Sequence, residues 1–471
     1  MTIDPMKRII LLLAAVLPVC FLLCHADDGE SADTTTTVMG IKVNQRSQSW
    51  DDYNPERGFF QKAYSDKGDP RFMIANEDDS FEFGIGGVLR MTAYGDFIGS
   101  TYNTRFSTWD IPVPTDHANN IGISAAASKL FVKSRAKIGK HTLVAFLEIN
   151  SNEENAIGLG QAYVSYGGFS VGRTHSFFVD LAAGVQTVDL RGPNTSIDMG
   201  HALLGYTWNI NNNWALAAAM ESPDYETHEY TNLGIYEENQ NMPDFAARLI
   251  YRNTFGHLQF SGLLRSLGYW SFDVPVAQAI INASNDFGSE KHVTGWGAAF
   301  SGKVNLSRNC FFTFQSLYGK GIQQYIHDYA NAGMDLVPTR VNTGTENEYY
   351  KMRALPTWGG YAGLQYKWNK KLTTSALFGV AGMDLHAVET LTWEKNSYNE
   401  YVQDCKYYDY KRTSYLAVSA FYNINNFCTI GAEYLNGIRW QRERDYDTMT
   451  LTGKTDHGVA NRFNMMFSYS F

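Results

Sequence analysis

The chain ends in ten residues whose polarity switches at every step. Phe463, Met465, Phe467, Tyr469 and Phe471 share one face of an extended strand, and Arg462, Asn464, Met466, Ser468 and Ser470 share the other. Successive side chains on a strand point to opposite faces, so one face of this segment meets an apolar phase and the other a mostly polar one. Two architectures satisfy that demand. One is a soluble sandwich with the apolar face in its core; the other is a membrane barrel with that face toward lipid.

The start of the chain favours the second. Met6-Lys7-Arg8 supplies a short positive region, Ile9 through Leu23 an apolar run of secretory length, and Cys24-His25-Ala26 a small-residue cleavage site. Residues 1–26 therefore read as a signal peptide, with the mature chain beginning at Asp27. A lipoprotein acylated at Cys20 or Cys24 is the competing reading, although Val19 and Leu23 stand where a small residue is wanted. A terminal aromatic closing an alternating strand is similar to the signal read by the barrel-assembly machinery, with Phe467, Tyr469 and Phe471 as its aromatic positions.

A length of 471 residues would ordinarily suggest two or three soluble domains, but the pattern is one long β array. Aromatics reach 14% while charged residues are only 18%, a balance that suits strands with interfacial aromatic girdles. The formal charge of −9 argues against nucleic acid as a partner. Cys310, Cys405 and Cys428 show no paired spacing and read as incidental thiols.

Residues 27–80 are polar and irregular, from Thr34-Thr35-Thr36-Thr37 to Asp51-Asp52-Tyr53-Asn54-Pro55, and read as a periplasmic extension or linker. From Phe81 onward the chain alternates, and its connections are unequal. Tight Asn-rich turns flanked by aromatics recur, as in Trp208-Asn209-Ile210-Asn211-Asn212-Asn213-Trp214 and Tyr366-Lys367-Trp368-Asn369-Lys370-Lys371. Asn tolerates turn geometry, and the flanking rings suit a membrane–water boundary. Between the turns lie long polar stretches near 222–242, 268–290, 321–357, 382–410 and 438–459. Short turns on one side and long loops on the other predict an all-β, transmembrane antiparallel β-barrel. About sixteen strands are expected, starting near 81, 124, 141, 160, 168, 199, 213, 244, 255, 292, 309, 359, 372, 412, 427 and 462; fourteen or eighteen also fit.

No catalytic constellation emerges, and no cofactor or metal is expected. The 11 histidines show neither H-E-x-x-H nor ligand spacing with cysteine. Gly168-Phe169-Ser170-Val171-Gly172 matches a nucleophile elbow, but a strand pattern runs through it where a helix should follow. Gly453-Lys454-Thr455 lacks the upstream glycine of a phosphate loop. The polar strand faces are instead basic: Lys129, Lys133, Arg135 and Lys137 share a parity, and Arg90 and Arg248 fall inward on theirs. These side chains could simply be solvated and paired with Glu148 and Glu82; as a set they would favour anions over cations. Arg173 lies near mid-strand, although Val171 shares its parity. Acidic residues concentrate in presumed external loops, among them Glu221, Asp224, Glu237 and Asp409.

One stretch is more specific. Val171-Gly172-Arg173-Thr174-His175-Ser176-Phe177-Phe178-Val179-Asp180 precedes Thr187-Val188-Asp189-Leu190-Arg191-Gly192-Pro193-Asn194, with Lys133-Ser134-Arg135 and Leu147-Glu148-Ile149-Asn150 upstream. This resembles the DcaP-like porins, trimeric outer-membrane channels for small dicarboxylic and aromatic acids. The resemblance implies an inward-folded constriction loop over about 174–198, turning at Gly192-Pro193-Asn194. It makes Arg173, Asp180, Asp189 and Arg191 constriction or loop-fixing residues, with Asp180 and Asp189 as anchors. The expected function is passive conduction of small hydrophilic solutes, biased toward anions, by a homotrimer in outer-membrane lipid. A surface-binding barrel acting through its loops, and a barrel-embedded hydrolase, are the rival readings.

Overall fold

The alternating segments form sixteen antiparallel strands in one closed sheet, with lipid-facing and lumen-facing residues on opposite sides of every strand. The computed structural model describes residues 34–38, 41–45 and 72–471, apart from 77, 79, 102–103, 118, 152–155, 198, 224–234, 238–239, 272–287, 331, 342–348, 386–408 and 446–449. The expected signal peptide, most of 27–71, Cys405 and most of the acidic loop positions lie outside the described residues.

Numbering the barrel strands alone, β1 is Phe81–Ile98, and β2 is Lys129–Ile138, continued along β1 by the short segment Asn120–Ser124. Next come β3 (His141–Ser151), β4 (Ile157–Tyr166), β5 (Phe169–His175), β6 (Gly200–Asn209) and β7 (Trp214–Glu221). The wall goes on through β8 (Asp244–Asn253), β9 (Gly256–Ser271), β10 (Ser289–Asn305) and β11 (Cys310–Lys320). It ends with β12 (Pro356–Lys367), β13 (Leu372–Met383), β14 (Tyr410–Asn423), β15 (Cys428–Asp445) and β16 (Thr450–Ser470). The sheet closes where β16 pairs with β1, Phe463 opposite Gly95 and Tyr469 opposite Leu89.

Outward positions are large, apolar and exposed: Leu89 57%, Phe260 57% and Phe378 54%. Exposed apolar surface on that scale suits a chain solvated by lipid. The short turns carry the aromatic girdle, with Trp214 against Tyr251 at 4.6 Å and Tyr366 against Trp368 at 4.8 Å between ring centroids.

The last strand corrects one expectation. β16 begins at Thr450, not near 462, and β15 continues to Asp445, so 438–459 is mostly wall and the connection is only 446–449. The upper part of this hairpin is polar on both faces because it rises beyond the apolar band, and alternation therefore could not show it. At the other end Phe471 exchanges both backbone hydrogen bonds with Gly87, each 3.0 Å. A Cβ on Gly87 would lie 2.6 Å from the Phe471 ring, so glycine is what lets that ring settle on β1. Immediately below, Phe72–Ala75 pairs with Glu82–Ile85 along the edge of β1 that β16 vacates, and Ile41–Gln45 and Thr34–Val38 add to it in turn.

Candidate functional site

The described residues of three connections on the long-loop side, 99–119, 176–199 and 321–355, turn into the barrel. The middle one crosses the lumen against the wall from β7 to β15. The Phe177 N–H donates to Glu221 at 2.7 Å, and the Val179 carbonyl accepts from Gln259 at 3.0 Å and Arg248 at 3.3 Å. Farther along, the Tyr361 hydroxyl donates to the Ala183 carbonyl at 3.3 Å and the Ser375 hydroxyl to Gln186 at 2.7 Å. The buried Glu433 carboxylate accepts the N–H groups of Val188 and Asp189 at 2.8 and 2.6 Å, and Arg90 of β1 donates to the Val188 carbonyl.

Asp180 is held within this loop by the opposite wall. Its carboxylate accepts the Ser301 hydroxyl at 2.7 Å, faces His257 Nε2 at 3.0 Å, and caps the 3-10 turn Leu181–Ala183 through the Ala182 N–H at 3.1 Å. Burial pushes its pKa up, but His257, Ser301 and Arg248 more than offset that and hold it below the ordinary carboxylate value. Asp189 accepts the Tyr415 hydroxyl at 2.9 Å. Gly192 turns the chain at φ +67°, after which Asn194 donates to the Thr413 hydroxyl at 3.0 Å.

The connection 321–355 overturns the expectation of a polar external loop. It folds inward as a 3-10 turn, Gln323–Tyr325, and a hairpin of Leu336–Val341 with Tyr349–Ala354, because Tyr325, Ile326, Tyr329, Leu336 and Val337 are apolar and become fully buried. Arg265 ties it to the wall, pairing with Asp244 at 3.0 Å and with Asp335 at 2.6 Å while lying over the Tyr325 ring. The third connection, 99–119, is fixed by Arg462, which grips Asp96 at 2.6 and 3.0 Å and donates to Thr101 at 2.9 Å. Arg439 donates to the Trp109 carbonyl at 2.6 Å.

One carboxylate joins all three. Asp328 accepts the N–H groups of Thr108 and Trp109, each 3.1 Å, together with the Thr108 hydroxyl, and faces Arg191 at 3.9 Å. Arg191 also donates to the His327 carbonyl at 3.0 Å. Burial raises the pKa of Asp328 to about 6, against Arg191 and Thr108, which lower it. Around this knot Trp109, Phe177, Phe178, Ile197, Tyr325, Ile326 and Tyr329 pack into one apolar cluster with the wall residues Leu263 and Leu267.

The basic positions singled out from the sequence separate into three groups. Lys129 and Arg135 pair sideways within the wall, with Glu148 at 2.8 Å and Glu82 at 3.1 Å. Lys133 is inward beside them and buried, between Gly84 and Phe146 in register. Arg248 lies behind the 176–199 loop, its guanidinium 4.5 Å from the Phe177 ring, so it does not face open lumen. Arg173 faces outward: it shares the face of Phe169 and Val171, 55% and 52% exposed, and the register with Ala162 and Ala202 shows no bulge that would turn it inward. Glu221, expected in an external loop, ends β7 with its side chain inside. Ser170 of the elbow-like match lies within β5.

Sequence reasoning missed Arg265, Arg439, Arg462, Glu433 and Asp328. Parity alone could have found the inward four. Asp328 carries no local signal, since its partners come from two other connections.

A closed sixteen-strand barrel with an apolar exterior, an aromatic girdle at its short turns and inturned loops in a polar lumen is an outer-membrane channel. The family model described as Porin subfamily matches residues 100–450. The chain belongs to this porin family, and its place is the outer membrane. Among solved structures it is similar to the outer membrane channel DcaP of Acinetobacter baumannii, with TM-score 0.63 and 16% identity over 83% of this chain and 98% of that one. It is also similar to an anion-selective porin from Comamonas acidovorans, at TM-score 0.48 and 9% identity over 83% of this chain and 100% of that one. At 16% identity the likeness to DcaP is one of fold. No curated protein matches the sequence.

Proposed function

We propose that the barrel passively conducts small hydrophilic solutes with a bias toward anions such as small organic carboxylates. The supporting observation is the charge of the β1–β3 wall, where Arg90 alone also holds the 176–199 loop. Inward positions of β1–β3 carry Arg90, Lys129, Lys133, Arg135 and Lys137 against Glu82, Asp96 and Glu148, and Asp96 is already engaged by Arg462. A basic wall lowers the barrier to anions and raises it for cations, and selection needs no bond chemistry. The 176–199 loop narrows the passage as a constriction loop, with Asp180, Asp189, Gly192, Pro193 and Asn194 fixing it and Arg191 joining it to its neighbour.

Single-channel recording of the full chain in a salt gradient tests this reading. The reversal potential should lie on the anion side and move toward zero in the K129Q/R135Q variant. A cation-side potential in the wild type would sink the anion bias. One observation favours the rival binding barrel, namely the apolar cluster that the inturned loops build in the lumen. A barrel plugged in this way would give no conductance steps at all.

A homotrimer accounts for Arg173. A charged residue on a lipid face costs about 2–4 kcal/mol at the bilayer midplane, and Arg173 stands on the shortest barrel strand, seven residues, between Ala162 and Ala202. Contact with a second copy would shelter it there. Phe467, Tyr469 and Phe471 serve the assembly machinery in this reading, and deleting Phe471 should lower the yield of heat-modifiable barrel.

A further inference from the structure

The outer face of the barrel carries a distinct row of side chains near the long-loop rim. Trp358, Gly382, Arg412, Trp440 and His457 are successive register neighbours across β12–β16. The Trp358 ring lies over Gly382, where a Cβ would come within 2.6 Å of it, and the Arg412 guanidinium stands 4.9 Å from the Trp440 ring centroid. Tyr318 faces Trp358 from β11, and its ring meets Trp296 at 5.7 Å. These rings form an upper aromatic belt, the counterpart of the girdle at the short turns. Arg412 is also about ten residues from Tyr422 of that lower girdle, which is one span of a tilted strand. The row therefore stands at head-group height in the outer leaflet.

The backbone loads this row with positive charge. Pairing of β14 with β15 slips between Tyr410 and Arg412, so Lys411 has no register partner. A bulge of this kind re-aims a side chain. Tyr410 is fully buried inside the barrel, while Lys411 and Arg412 are both exposed outside it. Lys411 Nζ donates to the Thr455 hydroxyl of β16 at 3.2 Å, which carries it across the outside of β15. Arg442, the register partner of Thr455, follows Trp440 on the same face. The acids of this rim flank the row: Glu443 accepts the Thr452 hydroxyl at 2.7 Å, Asp456 accepts the His457 N–H at 2.7 Å, and Asp384 follows Gly382 by two residues.

We propose that this face binds the head group of a phosphorylated glycolipid of the outer leaflet, with Lys411 and Arg412 on its phosphates and Trp358 and Trp440 against its sugar and upper acyl carbons. Arginine offers a phosphate two parallel donors, and the Trp440 face steadies the guanidinium plane. The patch runs without a break into the lipid-facing wall, where Val418 and Tyr434 are 49% and 41% exposed on the same strands. A lipid held there keeps its chains on that wall, which a free anion would leave bare. β14–β16 lie across the barrel from Arg173 of β5, so this face and the one sheltered by a second copy do not compete. Lipid binding at this rim is independent of what the lumen conducts.

The test uses the detergent-folded full chain, with diphosphorylated lipid A, dephosphorylated lipid A and inorganic phosphate as probes and heat-modifiability as the check on folding. Native mass spectra of the wild type should show saturable adducts of diphosphorylated lipid A. Binding should be about tenfold weaker in K411Q/R412Q and retained in K411R/R412K. K370Q/K371Q, which removes the same charge at the opposite rim, should bind as the wild type does. Dephosphorylated lipid A should bind the wild type no better than the diphosphorylated lipid binds K411Q/R412Q. Unchanged binding in folded K411Q/R412Q, or an equal loss in K370Q/K371Q, overturns the proposal. Equal binding of the two lipids would make the face an apolar lipid contact and overturn the phosphate assignment. Displacement of the lipid by equimolar inorganic phosphate would make it a free-anion site and overturn the lipid assignment.

Discussion

Two regions of the lumen wall use basic side chains differently. On β2, Lys129 and Arg135 pair with carboxylates on the adjacent strands and stay within the wall. On β9, β15 and β16, Arg265, Arg439 and Arg462 are buried and reach into the barrel to hold loop carboxylates and carbonyls. Positive charge and inward parity are the same in both regions. What differs is the partner, and with it the role: a fixed positive wall in one case, a set of loop tethers in the other. Five donors in a rigid fork suit arginine to the tethering role, and all three tethers are arginine, while the wall holds Lys129 as well as Arg135.

The largest expected effect breaks a tether. R265M strands Asp244 and Asp335 without their cation, and removing one partner of a buried pair costs about 3–5 kcal/mol. The 321–355 connection should then leave the lumen, seen as a higher unit conductance and new protease cleavage within it. E433A comes next, because it deprives the Val188 and Asp189 N–H groups of their acceptor at a cost of about 1–3 kcal/mol per stranded donor. Noisier open-channel current, with the barrel still heat-modifiable, is the expected readout.

Asp328 gives a pH-dependent form of the same comparison. Its pKa is about 6 in the fold against an ordinary 3.8, so the folded state holds the proton more tightly. Stability from this group is therefore fully present below about 4 and is lost as pH rises through about 6, on the order of 3 kcal/mol in all. D328N should flatten the pH dependence of loop protection from proteolysis across that window while leaving other slopes in place. The smallest effect belongs to the wall itself: R135Q should change the unfolding midpoint little, since a partly exposed pair contributes about 0–1 kcal/mol. An R135Q barrel that releases its loops as R265M does would erase the distinction.

Much of this wall was legible in the sequence. The starts of β3, β8 and β13 coincide with those expected, because Asn-rich turns and alternating faces are local signals. Alternation reports a change of phase across a strand, so it faded where β15 and β16 rise above the apolar band. The inward loop was legible only through a motif, and its neighbour 321–355 not at all, although Tyr325, Ile326 and Tyr329 are unusual for a solvated loop. Arg173 was placed inward by motif position against its own parity with Val171, and the parity was right. The hydrogen bonds of Asp328 to Thr108 and Trp109 span more than two hundred positions, which no local pattern can carry.

In the reading proposed above, the β1–β3 wall sets ion preference while the buried arginines set aperture. Reversal potential in a salt gradient, measured on single channels of wild type, K129Q/R135Q and R265M, tests it most directly. The account predicts an anion-side potential that moves toward zero in K129Q/R135Q at little changed conductance. It predicts for R265M a larger conductance with the sign of the potential kept. A potential unmoved by K129Q/R135Q but abolished by R265M would contradict it.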